Sequence, residues 1–275
     1  MKSILIVKNK NRGKEISINC ITFPGGEINV SVDIKELIKF VGSTITITAW
    51  LKDSDGLIAL AQLKSIFDDY GVREINLVMG YFPYARQDRI CNVGESLAIK
   101  VFANIINSLN FSNVTIFDPH SDVTPALIDR VRVIGKLNII RSIENNFDCF
   151  VAPDAGATKE VQKLASYFEV EFIQGMKERN TKTGEISDFK YYGDVEGKKL
   201  LIVDDICDGG GTFIGLAESL KKGNPKGISL YITHGIFTKG FIVLAQHFDK
   251  IYTTNSFHEA LCLSDNEKLE CIYKI

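Results

Sequence analysis

The sequence predicts an α/β protein of the doubly wound kind, with largely parallel sheets flanked by helices. Three observations lead there. Apolar runs of strand length alternate with helix-length segments along the chain. Runs such as Ile75–Tyr81 and Leu200–Val203 read as buried strands of the kind found in parallel sheets. Several runs end in turns bearing Gly, Asp or Arg, and strand ends are where open α/β sheets bind ligands.

Taken in order, Ser3–Val7, Glu15–Cys20 and Glu27–Val32 read as short strands separated by turns. Thr44–Trp50 is β-branched at most positions and reads as a fourth. Asp55–Tyr70 places Leu57, Leu60, Ala61, Leu63, Ile66 and Phe67 on or near one helical face. Ile75–Tyr81 is a buried-type strand leading into the loop 82–89, Glu95–Leu109 a helix, and Val114–Asp118 a further strand. The second half repeats this logic without repeating the sequence. Strand Cys149–Ala152, helix Thr158–Tyr167 and strand Glu171–Gln174 precede a polar segment, Lys177–Lys182. Strand Leu200–Val203, helix Phe213–Lys222, strand Ile228–His234, a helix around Phe241–His247 and strand Ile251–Thr254 complete the reading. No low-complexity linker divides the halves, and the expected boundary lies at 143/144.

The chain has 275 residues, 45% of them hydrophobic and 24% charged, which is enough for one large or two modest globular domains. A net charge of −2 carries no nucleic-acid footprint. Six cysteines, at 20, 91, 149, 207, 262 and 271, include no Cys-x-x-Cys pair and read as reduced thiols. The N-terminal apolar run Ile4–Val7 is too short for a signal-peptide core, and no run approaches membrane-spanning length. The expectation is a cytoplasmic protein without membrane or nucleic-acid partners.

The most informative stretch follows Leu200–Val203: Asp204-Asp205-Ile206-Cys207-Asp208-Gly209-Gly210-Gly211-Thr212. Its glycines let backbone N–H groups close around a phosphate, and the helix that follows adds a favourable dipole. The acids suit ribose hydroxyls or hydrated Mg²⁺. Together they point to a sugar phosphate, against the alternative of an ordinary strand-to-helix turn with solvated acids. Tyr84-Ala85-Arg86-Gln87-Asp88-Arg89 sets two guanidiniums past another strand end, fit for phosphate oxygens or for surface salt bridges. His120, in Phe117-Asp118-Pro119-His120-Ser121-Asp122, reads by itself as a packing or surface residue sooner than as a functional one. Asp154, in Pro153-Asp154-Ala155-Gly156, is an adequate helix cap. Met176-Lys177-Glu178-Arg179-Asn180 reads as a solvated loop, and Phe23-Pro24-Gly25-Gly26-Glu27 as a turn between strands.

These motifs, in this order, resemble the ribose-phosphate pyrophosphokinases (PRPP synthetases), and the Asp-Asp loop also resembles the type I phosphoribosyltransferases. The resemblance runs from Phe23 to Ser256, with Thr233-His234-Gly235-Ile236-Phe237 and Thr253-Thr254-Asn255-Ser256 matching family strand ends. It implies two phosphoribosyltransferase-like domains: 1–143, binding ATP, and 144–275, carrying the ribose-phosphate loop. By the same resemblance Phe23, Glu27, Arg86, Gln87 and Asp88 bind ATP. Asp204, Asp205, Asp208, Gly209, Gly210, Gly211 and Thr212 bind the ribose phosphate. Lys177, Arg179 and His120 are catalytic, and His120, Asp154 and Asp204 hold Mg²⁺. The implied assembly is a homo-oligomer in which the Phe23–Glu27 turn enters a neighbouring subunit's ATP site.

Three departures stand out. Gly209 replaces the usual Thr, Gly25 replaces the usual Asp or Asn, and Ile90–Ser96 differs from the family's basic segment. The implied reaction transfers the β,γ-diphosphate of MgATP to the anomeric hydroxyl of ribose 5-phosphate. Loss of the Thr side chain at 209 makes ADP-ribose an alternative acceptor, giving ADP-ribose 1-pyrophosphate for NAD salvage. A phosphoribosyltransferase and a catalytically silent regulatory homologue are the remaining alternatives. The Arg-Gln-Asp-Arg and Lys-x-Arg motifs argue against the transferase, which has no ATP to hold.

Overall fold

The computed structural model describes residues 3–9, 15–144, 146–179, 186–258 and 266–275; the side chains of 178, 179 and 186–188 lie outside that description. The chain divides into two compact units, 1–135 with Ile275, and 136–274. The division thus falls eight residues before the expected 143/144, because Lys136 opens a helix that packs within the second unit.

In the first unit, β1 (Ile4–Asn9), β2 (Glu15–Ile16), β5 (Thr44–Trp50), β6 (Glu74–Met79), β7 (Asn113–Phe117) and β8 (Val131–Ile134) form a six-stranded sheet in the order β2-β1-β5-β6-β7-β8. Strands β5 to β8 run parallel, and β1 is antiparallel to both its neighbours. A separate hairpin joins β3 (Ile18–Thr22) to β4 (Ile28–Val32). Helices α1 (Ile34–Leu37), α2 (Ser54–Asp69), α3 (Ala98–Ser108) and α4 (Val123–Leu127) complete the unit, with a 3₁₀ turn at Ile38–Phe40. Helix α2 begins where Asp53 caps it, accepting from Gly56 N at 2.8 Å and from Ser3 Oγ at 2.8 Å. Gly56 is required there, since a Cβ would lie 2.0 Å from Ser3 Oγ.

Helix α3 starts at Ala98 and not at Glu95. The Glu95 carboxylate instead closes the turn before it, accepting from the N–H groups of Cys91 and Asn92 at 3.0 Å each. Those hydrogen bonds, that from the Asn92 side chain foremost, hold its carboxyl below the usual range.

The second unit has a seven-stranded sheet in the order β11-β10-β9-β12-β13-β14-β15. Its strands are β9 (Cys149–Ala152), β10 (Glu171–Arg179), β11 (Ile186–Tyr192), β12 (Lys199–Cys207), β13 (Gly227–Gly235), β14 (Ile251–Thr254) and β15 (Leu269–Tyr273). All neighbours pair parallel except β10 with β11. Helices α5 (Lys136–Ile140), α6 (Thr158–Phe168), α7 (Gly211–Lys221) and α8 (Phe241–Ala245) accompany it. Leu200 to Val203 are fully buried, as a central parallel strand requires.

Two strands outrun their apolar cores. β12 continues past Val203 to Cys207 because β13 offers ladder partners to its end: Asp204 pairs with Ile232, Ile206 with His234 and Cys207 with Gly235. β10 continues past Gln174 because β11 pairs with it from Tyr192 back to Ile186. Lys177 therefore sits on a strand and not in a loop, while 180–182 of the expected polar segment lie outside the described residues. The expectation of thiols throughout fails at Cys271, which is disulfide-bonded, whereas Cys20, Cys91, Cys149 and Cys207 are free.

Candidate active site

In the second unit the parallel strands β10-β9-β12-β13 bring several sequence candidates to one sheet edge. Asp204 and Asp205 lie in the last stretch of β12, and the chain then turns through Asp208-Gly209-Gly210 into α7. Gly210 adopts φ 79°, and a Cβ on it would lie 2.8 Å from Leu244 Cδ2, so both backbone and space demand glycine. Gly209 is different. It has no left-handed φ, and an added Cβ would meet nothing closer than Lys239 Cε at 3.5 Å. The segment after β13 is tied to this turn: Thr238 Oγ1 donates to Asp208 Oδ1 at 2.8 Å, and Thr238 N to Asp208 O at 3.2 Å.

Burial first, and the Asp205 carboxylate second, hold the Asp204 carboxyl well above the usual carboxylate range, against the opposing pull of Lys136. Asp204 Oδ1 also accepts from Asp205 N at 2.9 Å. Lys136 is itself buried and paired with Glu160 Oε2 at 2.8 Å. Burial pushes the Cys207 thiol up to about 12, which removes it as a nucleophile at neutral pH.

Asp154, just past β9, and Lys177, on the adjacent β10, meet directly: Lys177 Nζ lies 2.8 Å from Asp154 Oδ2. The other oxygen, Oδ1, accepts from Gly156 N at 3.0 Å and from Ala157 N at 3.4 Å. The backbone of Arg179 ends β10; its side chain lies outside the described residues. Thr212 lies in the first turn of α7.

In the first unit, the loop after β6 holds Arg86, Gln87 and Asp88, and the bend after the neighbouring β7 holds His120. Both occupy the same edge of the parallel sheet. The β6 loop is fixed by Phe82 and Tyr84, whose rings lie 5.1 and 5.4 Å from that of Phe102 on α3. Arg86, Gln87 and His120 are exposed. Phe23 and Glu27 sit at the tip of the β3–β4 hairpin, where Phe23 N donates to Glu27 O at 2.8 Å and Phe23 is 48% exposed. A Cβ on Gly25 would lie 2.7 Å from Glu27 Oε2, so the glycine leaves that carboxylate its place over the turn.

The resemblance implies Mg²⁺. Among the described residues no group of three or more His, Cys, Asp or Glu is gathered as for a metal ion. The acid pair on β12 nonetheless fits one. Mg²⁺ keeps several waters and needs only one or two carboxylates, and a dication relieves the repulsion that raises Asp204. Both oxygens of Asp154 already accept hydrogen bonds, and Lys177 would compete with a cation for Oδ2.

The comparisons with known proteins identify the family. The family model described as the N-terminal domain of ribose phosphate pyrophosphokinase matches residues 7–109, and that of the phosphoribosyl transferase domain matches 125–240. The chain belongs to the ribose-phosphate pyrophosphokinase family. As a ribose-phosphate pyrophosphokinase homologue it is an enzyme of the diphosphokinase type. It is similar to the ribose-phosphate pyrophosphokinase of Mycoplasmopsis pulmonis, 29% identical over 94% of this chain and 80% of the relative. That of Thermococcus kodakarensis is 28% identical over 90% of this chain and 88% of the relative. Phosphoribosylpyrophosphate synthetase from Mycobacterium smegmatis shares the fold, with a TM-score of 0.79 at 20% identity over 94% of this chain and 86% of that one. Among the described residues no helix is long and apolar enough to cross a membrane.

Three residues escape sequence reasoning. Lys136 is distant in sequence from the acids it faces electrostatically, with no local motif to mark it. Lys52, just past β5, has its ammonium pushed down to about 8 by burial, a property of packing alone. Lys239 lies beside Gly209 through a turn whose geometry is visible only in the fold.

Proposed function

We propose that this ribose-phosphate pyrophosphokinase homologue transfers the β,γ-diphosphate of MgATP to O1 of ribose 5-phosphate, yielding PRPP and AMP. The observation that carries the reading is the shared sheet edge at which the acid pair and the glycine turn opening α7, at the end of β12, and Lys177, on β10, stand with β9 between them. In the reaction the new bond joins O1 to the β-phosphorus. The bond between that phosphorus and the α,β-bridging oxygen breaks, AMP departs with the bridging oxygen, and the O1 proton passes to solvent. Asp204 and Asp205 orient the ribose hydroxyls and their cation, while Asp208 to Thr212 cradle the 5-phosphate at the start of α7. Arg86, Gln87, Asp88 and His120 hold the triphosphate, with Phe23 and Glu27 of a neighbouring subunit at the adenine.

Bound Mg²⁺, on Asp204 with His120 and Asp154 as further candidates, would neutralise phosphate charge. Lys177 exchanges its carboxylate partner for the transferring phosphates, joined by Arg179, so that its charge serves the transition state. No side chain acts as a nucleophile.

Release of AMP from ATP, dependent on ribose 5-phosphate, tests the reaction; intact ATP alongside consumption of PRPP and a base would replace it with a phosphoribosyltransferase. Inactivity in both assays would leave the regulatory homologue. For the role of Lys177, Lys177→Ala is expected to lower kcat by orders of magnitude with the KM for ATP nearly unchanged. An unchanged kcat with a raised KM would remove that role.

A second acceptor, ADP-ribose, is favoured by one observation. The conformation at Gly209 does not call for glycine, so the absence of a side chain there is not a backbone requirement. The absence of a side chain at 209 suits a 5-phosphate that carries a further group. Comparison of kcat/KM for the two acceptors, in wild type and Gly209→Thr, decides between them. If ADP-ribose is the substrate, Thr should impair its use far more than that of ribose 5-phosphate.

A further inference from the structure

We infer that Lys239 is an acceptor-binding residue, supplying to the 5-phosphoryl group the contact that Gly209 lacks. The inference rests on the reading of 208–212 as the ribose-phosphate loop.

Lys239 is brought there by a built turn. Ile236 N and Phe237 N both donate to Cys207 O, at 2.9 and 3.1 Å, and the two bonds to Asp208 follow through Thr238. Gly240 N closes the turn on Phe237 O at 2.8 Å, with Phe237 and Gly240 at φ 50° and 78°. The Phe237 ring is buried and lies over Gly235, where a Cβ would approach it to 2.2 Å. A left-handed non-glycine residue persists when its surroundings over-determine it, and here five hydrogen bonds and a buried ring do so. The turn is thus anchored to the two residues that precede Gly209.

Lys239 lies with its stem over that glycine: an added Cβ at 209 would stand 3.5 Å from Cε and 3.7 Å from Cδ of the lysine. The ammonium is one bond beyond Cε, at the margin of the loop. Across 204–212 and 236–240 the side chains include three aspartates and one basic residue, Lys239. An arriving phosphoryl dianion therefore meets like charges from the acids and one compensating cation from this turn. A lysine ammonium is a mobile point charge well suited to phosphate. A threonine at 209 would bring its branch against the lysine stem, since its Cβ alone would already be in van der Waals contact with Cε at 3.5 Å. Gly209 and Lys239 thus act as a complementary pair, in which the missing hydroxyl is answered by a charge.

The test measures binding by calorimetry, with Mg²⁺ and without ATP, for ribose 5-phosphate and ADP-ribose separately. Lys239→Met keeps an apolar stem and removes the charge; it is expected to weaken both acceptors by about tenfold or more. Lys239→Arg should retain most of the affinity, and the KM for ATP should stay within about twofold in either variant. In a Gly209→Thr background, Lys239→Met should cost less than about threefold, because the two changes act on one contact. Unchanged acceptor affinity in Lys239→Met would overturn the inference, as would equal losses in both backgrounds. Weakening of ADP-ribose alone would also overturn it, since the ammonium would then serve the outer phosphate. Matching Tm values for wild type and variants exclude misfolding as the cause. A wild type that binds an acceptor, loses it in Lys239→Met and yet forms no AMP would refute the proposed reaction while sustaining this one. A wild type that binds neither acceptor would end both.

Discussion

At Asp204, burial and a neighbouring carboxyl oppose ionisation, so the residue is held at a cost to the fold. Its raised folded pKa means the native state binds more protons than the unfolded chain between the unfolded value, about 3.9, and the folded one. The associated stability is present at low pH and is lost as pH rises through the folded pKa. Asp204→Asn is therefore expected to raise Tm at pH 8 while abolishing turnover, with the Tm difference shrinking towards pH 4. Thermal melts across that range check it; a variant less stable than wild type at pH 8 would show that the ionised carboxylate is well compensated. Local chemistry made this residue legible in the sequence, since two acids before a glycine run already mark a ligand edge. Lys136 was not legible, because its effect on Asp204 arises from packing between residues remote in the chain. The Asp154–Lys177 pair was half legible: each residue stands out through resemblance, but their contact depends on β9 and β10 lying side by side.

Among the elements, the turn into α7 separates two glycines that the sequence presents as equals. Gly210 is fixed by its left-handed backbone and by Leu244, so Gly210→Ala should destabilise by about 1–3 kcal/mol. Gly209→Ala should change stability by no more than about 0.5 kcal/mol. Urea midpoints of the two variants test this, and equal losses would refute the distinction. The order and type of the long elements followed from apolar periodicity, as with β5, α2 and the buried start of β12. Their ends did not. β12 and β10 extend because partner strands exist to receive them, and α3 starts late because Glu95 closes a turn. Such choices are made by tertiary partners, which a reading of one segment at a time does not contain.

At the scale of the whole molecule, the β3–β4 hairpin packs Ile18, Ile28, Val30 and Val32 with the core of its own unit. A two-stranded ribbon is marginal alone in water, and this one is braced by Gln62 of α2, which accepts from Val30 N at 2.8 Å and donates to Ile28 O at 3.0 Å. Its tip still presents Phe23 and Ile21 to solvent. If the tip completes a neighbour's ATP site, a Glu27→Ala chain mixed with a Lys177→Ala chain should recover activity that neither has alone. Mixed assemblies then contain some sites with neither lesion. Persistent inactivity of the mixture, or full wild-type activity in a monomer by sedimentation, would defeat the idea.

The nearness of the Lys239 stem to Gly209 has a consequence for descent. Two positions thirty residues apart come within van der Waals reach, so a branched side chain gained at one should be coupled to the choice of residue at the other. Homologues bearing a β-branched residue at the position of Gly209 should carry something shorter than lysine opposite it, and a gain of lysine should follow loss of the branch. An alignment deep enough to order those replacements would read the history of acceptor choice from a single pair of columns.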